Sequence, residues 1–240
     1  HPVGVIPVEL SFGGFGYYLP ATYIANYTIW GHTNITITDS SSIVVAGQNV
    51  TFTGFIENDL QIPLDREVTI LWDGITRTKV NSINGDFSGT FVVPSNTIAG
   101  NHTLTALIND QNFLRGSSDD TEILVMRETE VTLQWLGGFR NSTSVVSGYL
   151  RDVVGVGLPN HKLDVYFDDE FVGNVTTGES GIFAYDLFTD ENTELGTHNV
   201  AIVFEGSYLY LSSENEVDSE ILAHTFFTTE QLEVFRLQEF

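Results

Sequence analysis

The sequence predicts an all-β fold built from two antiparallel β-sandwiches in tandem. Three observations support this: a long internal repeat, strands marked by alternation of apolar and polar residues, and regularly spaced turn residues. The segment Pro63–Asp110 recurs 96 residues later as Pro159–Gly206. A repeated segment of this length marks one folding unit. About seven short strands per repeat, with turn signals every eight to twelve residues, are typical of a two-sheet sandwich.

The repeat is clearest in two stretches. Asn-Gly-Asp-Phe at 84–87 matches Ser-Gly-Ile-Phe at 180–183. Ala-Gly-Asn-His-Thr-Leu-Thr-Ala at 99–106 matches Leu-Gly-Thr-His-Asn-Val-Ala-Ile at 195–202. The Ile-Pro step at 62–63 similarly matches Leu-Pro at 158–159. Each unit is therefore expected to be about the size of an ordinary domain, with its own core.

Alternation with a period of two residues defines the strands and their inward faces. The inward residues expected in the first repeat are Val50, Phe52, Gly54 and Ile56, then Val68, Ile70 and Trp72, then Phe87, Gly89, Phe91 and Val93, then Leu104, Ala106 and Ile108. Their counterparts in the second repeat include Leu163, Val165, Phe167, Phe183, Tyr185 and Leu187. We expect Trp72 and Phe167 to occupy equivalent buried positions in the two repeats. We expect the same of Phe87 and Phe183.

Turn residues separate these strands. Asp73-Gly74 predicts a tight hairpin turn. Asn84-Gly85 and Ser180-Gly181 predict turns that need positive φ. The prolines Pro63, Pro94 and Pro159 stand where strands should end, since proline cannot donate a ladder hydrogen bond.

Applied to the whole chain, the spacing predicts four segments. Residues 1–32 are expected to be the end strands of a preceding repeat, with Val8, Leu10 and Phe12 inward. Residues 33–127 and 128–223 are the two whole repeats. Residues 224–240 are expected to hold the first strand of a following repeat, or a donated strand, carrying Leu232, Val234 and Leu237. The partial repeats imply either a longer array, which we favour, or strands exchanged with other copies of the chain.

Composition bounds the class of protein. Hydrophobic residues make up 42% of the chain, which is typical of a globular protein. No apolar run approaches the roughly 18 residues that a membrane helix needs. The net charge of −23 argues against nucleic acids and anionic membranes as partners, because both require basic patches. The absence of cysteine excludes disulfides and cysteine-ligated zinc.

Each repeat resembles the Ig-like domains that recur in bacterial and archaeal cell-surface proteins. The resemblance is carried by residues 45–54, 62–64, 68–74, 84–87 and 98–106. The second repeat departs at 141–148, which lacks the Gly-x-x-Val step. The resemblance covers about four-fifths of the chain and implies tandem Ig-like antiparallel β-sandwiches. It is specific for the fold and weak for the function, since such modules serve many roles.

Motifs of catalysis are absent from the sequence: there is no Gly-x-Ser-x-Gly, no His-Glu-x-x-His and no glycine-rich phosphate loop. His102 and His198 occupy the same position in the two repeats, so we expect them to serve the fold. The sequence predicts neither a catalytic residue nor a cofactor.

Carboxylate clusters are candidate metal ligands, including the stretch Glu214–Glu220 near the end of the second repeat. One comprises Asp168, Asp169 and Glu170, at the hairpin turn that Asp73-Gly74 occupies in the first repeat. Another comprises Asp119, Asp120 and Glu122. Both are most simply solvated surface groups. The alternative is calcium, which prefers hard oxygen ligands.

Six Asn-x-Thr sequons are candidate glycosylation sites if the chain is exported. Their asparagines are Asn26, Asn34, Asn49, Asn101, Asn141 and Asn174. A second group of candidates, for stacking on sugars, is the aromatic set of Tyr17, Tyr18, Tyr23, Tyr27 and Trp30. Aromatics of this kind more often pack a sandwich edge.

The resemblance implies a non-enzymatic extracellular structural protein at the cell surface, as part of a stalk, a surface layer or a filament. The expected partners are flanking Ig-like repeats or other copies of the chain, with glycans possible in addition. The alternative is an adhesin, or a carbohydrate-binding or spacer module attached to an enzyme.

Overall fold

The computed structural model describes residues 3–225, and its regular structure is β-strand apart from one 3-10 turn at Glu179–Gly181. The all-β prediction is therefore confirmed. Spatial contacts divide these residues into two units, 3–127 with Tyr208–Tyr210 and 128–207 with 211–225. The strand predicted within 224–240, with Leu232, Val234 and Leu237, lies outside the described residues.

Unit 1 contains eleven strands. They are β1 (Gly4–Phe12), β2 (Ala21–Ile29), β3 (Gly31–Ser40), β4 (Ile43–Val45), β5 (Asn49–Asn58), β6 (Glu67–Trp72), β7 (Ile75–Asn81), β8 (Asp86–Val92), β9 (Gly100–Ile108), β10 (Leu114–Arg115) and β11 (Ser117–Met126). The strands from β3 onward form two sheets, in the orders β10-β3-β5-β8 and β4-β11-β9-β6-β7. Strands β1 and β2 pair only with each other.

Unit 2 repeats this arrangement with eight strands. They are β12 (Thr129–Gln134), β13 (Gly138–Phe139), β14 (Ser142–Asp152), β15 (Lys162–Phe167), β16 (Glu170–Thr176), β17 (Ile182–Thr189), β18 (Gly196–Phe204) and β19 (Ser213–Leu222). Its sheets run β12-β14-β17 and β13-β19-β18-β15-β16. Each strand of the five-stranded sheet thus has a counterpart in unit 1.

The core of each unit lies between its two sheets, where the alternating inward residues meet. Those predicted for unit 1 are confirmed as buried: Val50, Phe52 and Ile56, then Val68, Ile70 and Trp72, then Phe87, Phe91 and Val93, then Leu104, Ala106 and Ile108. In unit 2 the buried set includes Leu163, Val165, Phe183, Leu187, Val200, Ile202 and Phe204. Burying one large apolar side chain contributes about 1.5–3 kcal/mol, so these side chains are a main source of stability in each unit.

Phe167 differs from its counterpart Trp72, because it is half-buried where Trp72 is 1% exposed. An indole from a different strand accompanies Phe167. Trp135, which follows β12 and is 3% exposed, packs edge-on against the Phe167 ring with the centroids 6.1 Å apart. The two units therefore fill this part of the core from different positions in the chain.

The turns adopt the predicted conformations. Asp73 and Gly74 between β6 and β7 have φ of 50° and 76°, and Asp168 and Asp169 between β15 and β16 have φ of 48° and 65°. Two consecutive residues with positive φ make the tight turn that matches the twist of a hairpin. The Asn84-Gly85 and Ser180-Gly181 pairs also have positive φ.

The fixed spacing of 96 residues is wrong for the middle strands of the repeat, from β5 and β14 to β7 and β16. The N–H of Leu64 donates to the Ile56 carbonyl and that of Leu158 donates to the Leu150 carbonyl, so Leu158 corresponds to Leu64, 94 residues earlier. Pro63 and Pro159 are not equivalent. Unit 2 is two residues shorter than unit 1 between its first and second long strands, β12 and β14, and one residue longer in each of the loops before β15 and β17. Strands absorb no such changes, because a one-residue slip would turn an inward face outward.

The offset of 94 residues also explains the segment 141–148, because Asn141 then corresponds to Gly47. Both positions have positive φ, 89° at Gly47 and 55° at Asn141. Asparagine tolerates this left-handed conformation better than other non-glycine residues do. Asn141 therefore replaces the glycine that the sequence comparison found missing.

Candidate functional site

One polar arrangement that recurs in both units is a histidine side chain hydrogen-bonded to an aspartate side chain. In unit 1, His102 lies near the start of β9 and faces Asp73 in the β6–β7 turn. Its Nδ1 is 2.6 Å from the Asp73 Oδ2, and its Nε2 is 2.9 Å from the carbonyl oxygen of Ile98. The other carboxylate oxygen of Asp73 accepts a hydrogen bond from the N–H of Thr103 at 3.0 Å.

Unit 2 reproduces these contacts with the same distances. The Nδ1 of His198 is 2.6 Å from the Asp168 Oδ2, and its Nε2 is 2.9 Å from the Glu194 carbonyl oxygen. The N–H of Asn199 donates to the Asp168 Oδ1 at 3.0 Å. We call each set the histidine latch, meaning His102 with Asp73 and His198 with Asp168.

An aromatic ring covers each latch from the core side. The ring of His102 stacks on Trp72 with centroids 5.3 Å apart and planes within 9°. The ring of His198 stacks on Phe167 at 5.1 Å and 14°. In both latches the histidine side chain is 10% exposed and its aspartate is nearly half exposed. Each latch therefore ties the end of a core strand to the neighbouring turn.

The electrostatics favour the ion-paired form. Burial alone would raise the pKa of Asp73, but the hydrogen bonds from His102 and Thr103 outweigh it and lower the pKa below its usual value. Burial would lower the pKa of His198, but the hydrogen bonds to Asp168 and to the Glu194 carbonyl raise it. Both ring nitrogens of His198 face acceptors, so only its doubly protonated form can donate to both at once.

This geometry does not suit general base catalysis, because neither ring nitrogen is free to accept a proton from a substrate. The expectation that His102 and His198 serve the fold agrees with these contacts. Their aspartate partners were not predicted. The sequence did contain a pattern that could have identified these partners. An aspartate directly follows the strand before the tight turn, 29 residues before His102 and 30 residues before His198.

The predicted carboxylate clusters do not converge into a metal site. Asp168 is held by His198, and the carboxylate of Asp119 accepts from the N–H of Ile37 at 2.8 Å. Asp120 and Glu122 lie on the opposite face of β11, by the alternation of the strand. Within residues 3–225 no group of three or more His, Asp or Glu side chains is placed to hold a metal ion.

All six sequon asparagines are exposed. They are Asn26, Asn34, Asn49, Asn101, Asn141 and Asn174. Five lie in strands, and Asn141 lies in a turn directly before β14. The Asn101 amide donates to a carboxylate oxygen of Glu122 at 3.1 Å, across neighbouring strands. The side chains are accessible, as a glycan acceptor has to be.

The aromatic residues near the N-terminus are also on the surface. The exposed fractions of Tyr17, Tyr18, Tyr23, Tyr27 and Trp30 range from 39% to 105%. A separate surface groove of about 510 Å³ lies on the five-stranded sheet of unit 2. It is lined by Tyr166, Asp169, Glu214, Asn215 and Glu216, among others. No helix within the described part of the chain is long and apolar enough to cross a membrane.

No protein-family model matches the sequence, and no curated protein matches it significantly. Solved structures do match. A structure of the titin Ig domains I67–I69 has a TM-score of 0.50 and 10% identity, with 86% of this chain and 70% of that one covered. The tetra-tandem repeat from the extending region of a large adhesion protein has a TM-score of 0.45 and 18% identity, covering 91% of this chain and 57% of that one.

A fragment of the ICAM-5 ectodomain, D1–D4, has a TM-score of 0.48 and 12% identity, covering 92% of this chain and 62% of that one. This chain thus spans less than two thirds of the adhesion-protein and ICAM-5 structures. At these identities the likeness concerns the fold alone. The sheet orders described above and the similarity to the titin Ig domains lead to one conclusion: each of the two units is an Ig-like antiparallel β-sandwich.

Proposed function

We propose that this chain is a non-enzymatic, extracellular structural segment in which Ig-like sandwiches follow one another in series, as in a stalk, a surface layer or a filament. The observation that carries the proposal is that the same side-chain hydrogen bonds recur inside both sandwiches. The histidine latch is present in both units with distances that agree to 0.1 Å.

A second recurring contact is made by a buried hydroxyl. In unit 1 it lies next to the hairpin of β6 and β7, and in unit 2 next to the hairpin of β15 and β16. The Ser82 hydroxyl donates to the Leu64 carbonyl at 2.7 Å and accepts from the Arg66 N–H at 2.8 Å. In unit 2 the Thr177 hydroxyl donates to the Leu158 carbonyl at 2.6 Å and accepts from the His161 N–H at 2.9 Å.

A third contact of this kind joins the first strand of each sandwich to the segment directly before its last strand. The Thr33 hydroxyl donates to the Arg115 carbonyl at 2.6 Å, and the Thr129 hydroxyl donates to the Leu211 carbonyl at 2.8 Å. Because contacts of this kind hold distant parts of one sandwich together, they resist separation of its ends.

The surface groove of unit 2, by contrast, is not repeated in unit 1. The unit 2 groove is lined by Tyr166 and Asp169, and their counterparts in unit 1 are Leu71 and Gly74. What the units share is thus internal, as expected of modules whose role is to remain folded under load. A recognition module would be expected to repeat a binding surface instead.

Force spectroscopy on the 240-residue chain tests the proposal. Each unit of about 95 residues should unfold in a single step and release roughly 30 nm of chain. The variant His102→Gln should lower the unfolding force of one step and leave the other unchanged. Gradual extension without two discrete steps would contradict a load-bearing role.

The rival function, glycan recognition by an adhesin or carbohydrate-binding module, makes a different prediction. Saturable binding of a glycan to the chain, abolished by Tyr166→Ala in the unit 2 groove, would favour it over the structural role. Tyr149→Ala provides a matched control, because this tyrosine is 38% exposed and lies on β14 of the other sheet.

We also propose that the exposed sequon asparagines carry N-linked glycans. Mass spectrometry of material purified from its natural source should give a mass above that of the polypeptide, reduced stepwise by Asn→Gln changes at Asn34 or Asn141. Replacing Asn81, an exposed asparagine outside a sequon, should leave the mass of the glycans unchanged. The bare polypeptide mass would refute the proposal.

A further inference from the structure

The hairpin of β1 and β2, here called the N-terminal hairpin, has the pairing register of two other hairpins in the chain. Phe12 pairs with Ala21 at its closed end and Gly4 with Ile29 at its open end. Adding 96 to each number gives Ile108 with Ser117 and Gly100 with Val125, which are the pairs of β9 with β11. Adding 96 again gives Phe204 with Ser213 and Gly196 with Ile221, which are the pairs of β18 with β19.

Backbone conformation repeats with the register. Gly4, Gly100 and Gly196 open their strands with φ of 125°, 137° and 124°, a region that other residues rarely enter. The loop after β1 is closed by reciprocal backbone hydrogen bonds between Phe15 and Tyr18 at 3.1 and 3.0 Å. The loop after β9 has the same pair between Gln111 and Leu114 at 2.9 Å each.

The two complete units show what covers such a hairpin. Strand β6 pairs with β9 along Leu104–Leu107, and β15 pairs with β18 along Val200–Val203. The equivalent edge of β1 is Val8–Ser11, and among the described residues β1 pairs with β2 alone. An unpaired edge of this length is a template for another strand.

The inward face is uncovered in the same way. Val8, Leu10 and Phe12 are 41%, 62% and 50% exposed. Their counterparts in unit 2, Val200, Ile202 and Phe204, are 0%, 0% and 2% exposed. The side chains are nearly the same in type and size, which means that a sandwich like unit 2 would bury them.

We propose that residues 3–30 are the last hairpin of a third Ig-like sandwich. Its remaining strands come from a preceding segment of the same polypeptide that folds as the counterpart of residues 127–195. The N-terminal hairpin is thus an interaction surface with a defined occupant: the edge Val8–Ser11 takes a strand equivalent to β15, and the apolar face takes the opposite sheet. This inference goes beyond the proposed structural role and does not depend on it.

A graft tests the proposal with parts of the chain itself. A copy of residues 127–195 is placed directly before Gly4, so that the join reproduces the native step from Leu195 to Gly196. The grafted protein should show a third cooperative unfolding transition, and amide exchange in β1 and β2 should slow by about 100-fold or more relative to the ungrafted chain. Unchanged exchange in β1 and β2 would overturn the proposal.

Two variants of the graft test whether protection of β1 and β2 requires burial of their inward face or only attachment of the extra segment. Leu10→Asp should abolish the third transition and the protection, because it places a charge in the new core. Ser11→Asp, on the outward side of the same strand, should preserve both. Loss of the transition in both variants, or in neither, would contradict the assigned inward face.

The ungrafted chain tests the other possible occupant. If a second copy covered the N-terminal hairpin, residues 1–240 alone would form a dimer at micromolar concentration, with β1 and β2 already protected. That result would overturn the assignment to the same polypeptide. Monomers with fast exchange in β1 and slow exchange in β9 are expected. Neither outcome bears on the force measurements, which report on units 1 and 2.

Discussion

At the scale of single residues, the histidine latches are where charge contributes to the fold. The chain carries a net charge of −23, and each latch holds a histidine ring against a carboxylate with 10% of the histidine side chain exposed. Ion pairs on open surface contribute little, but a partly buried charge-assisted hydrogen bond contributes more. The His198 latch is therefore expected to make the stability of unit 2 depend on pH.

His198→Gln should destabilise unit 2 most at low pH. The folded-state pKa of His198 is raised above its ordinary value of 6.5, so its contribution is complete below that value and is lost as pH rises through the folded pKa. A hydrogen bond to a charged group is worth about 1.5–3 kcal/mol. Urea unfolding at pH 5.5 and pH 8.5 should show the penalty shrinking at the higher pH.

The exposed His32 provides the control for this measurement. His32→Gln should change the free energy of unfolding little at either pH. An equal penalty for His198→Gln at both values would show that packing on Phe167, and not charge, accounts for the effect.

Glycines can also be decisive at the residue scale. A Cβ on Gly148 would lie 1.9 Å from the Thr132 carbonyl oxygen and 2.8 Å from the ring of Phe183. Gly54 holds the same place against Phe87 in unit 1, where the nearest approach is 2.1 Å. Both glycines thus make room for the neighbouring strand and the core phenylalanine.

Gly148→Ala should accordingly destabilise unit 2 by about 1–3 kcal/mol, as overpacking of a core usually does. The matched change is Gly178→Ala, where the nearest atom would be 3.6 Å away and φ is −82°. Thermal unfolding compares the two variants. If they lose equal stability, steric crowding is not the cause.

At the scale of elements, a buried side-chain hydroxyl takes the place of backbone-to-backbone hydrogen bonds just before strand β15 begins. Thr177 is 1% exposed, and its hydroxyl serves both the Leu158 carbonyl and the His161 N–H. The loop before β15 is one residue longer than its counterpart in unit 1, yet the same hydroxyl contact persists. It fixes where the loop ends and the strand starts.

Thr177→Val keeps the shape of the side chain and removes both hydrogen bonds. Leaving buried polar groups unsatisfied costs about 1–3 kcal/mol, so the melting temperature of unit 2 should fall. Thr197→Val, at an exposed position of β18, should have little effect. A melting temperature that is unchanged in both variants would show that water replaces the hydroxyl.

The elements also show what sequence could and could not predict. Alternation placed most inward residues of the main strands correctly, because a half-buried strand must alternate. Phe167 and Tyr185, which it also placed inward, are only half-buried. Alternation could not place Trp135, which leaves β12 and fills space beside Phe167 in unit 2. Nor could a fixed spacing find the compensating insertions before β15 and β17. Loop lengths are weakly constrained by energy, whereas strand register is not.

At the scale of the whole molecule, the excess of 32 acidic over 9 basic residues dominates. Of the basic side chains, Lys79, Arg115 and Lys162 pair with neighbouring carboxylates at 2.6 to 2.7 Å on the surface. The remaining negative charge repels itself, which disfavours the compact state at low ionic strength.

Raising NaCl from about 10 mM to about 300 mM, which shortens the screening length from roughly 30 Å to less than 10 Å, should raise the melting temperature gradually. Millimolar CaCl2 at matched ionic strength should add no saturable step, since the candidate ligands Asp168 and Asp119 are engaged in other contacts. A saturable increase with calcium would instead identify a metal site.

The register shared by three hairpins has a consequence for folding errors. Neighbouring similar domains can misassemble by trading equivalent pieces. If the β18–β19 hairpin entered the first sandwich, every backbone pair would still form, but Ile202 would occupy the small space of Ala106. Overfilling a packed core in this way costs about 1–3 kcal/mol. Side-chain volume at this position, and at Ile108 where the larger Phe204 would enter, thus tells the hairpins apart during assembly, where the backbone cannot.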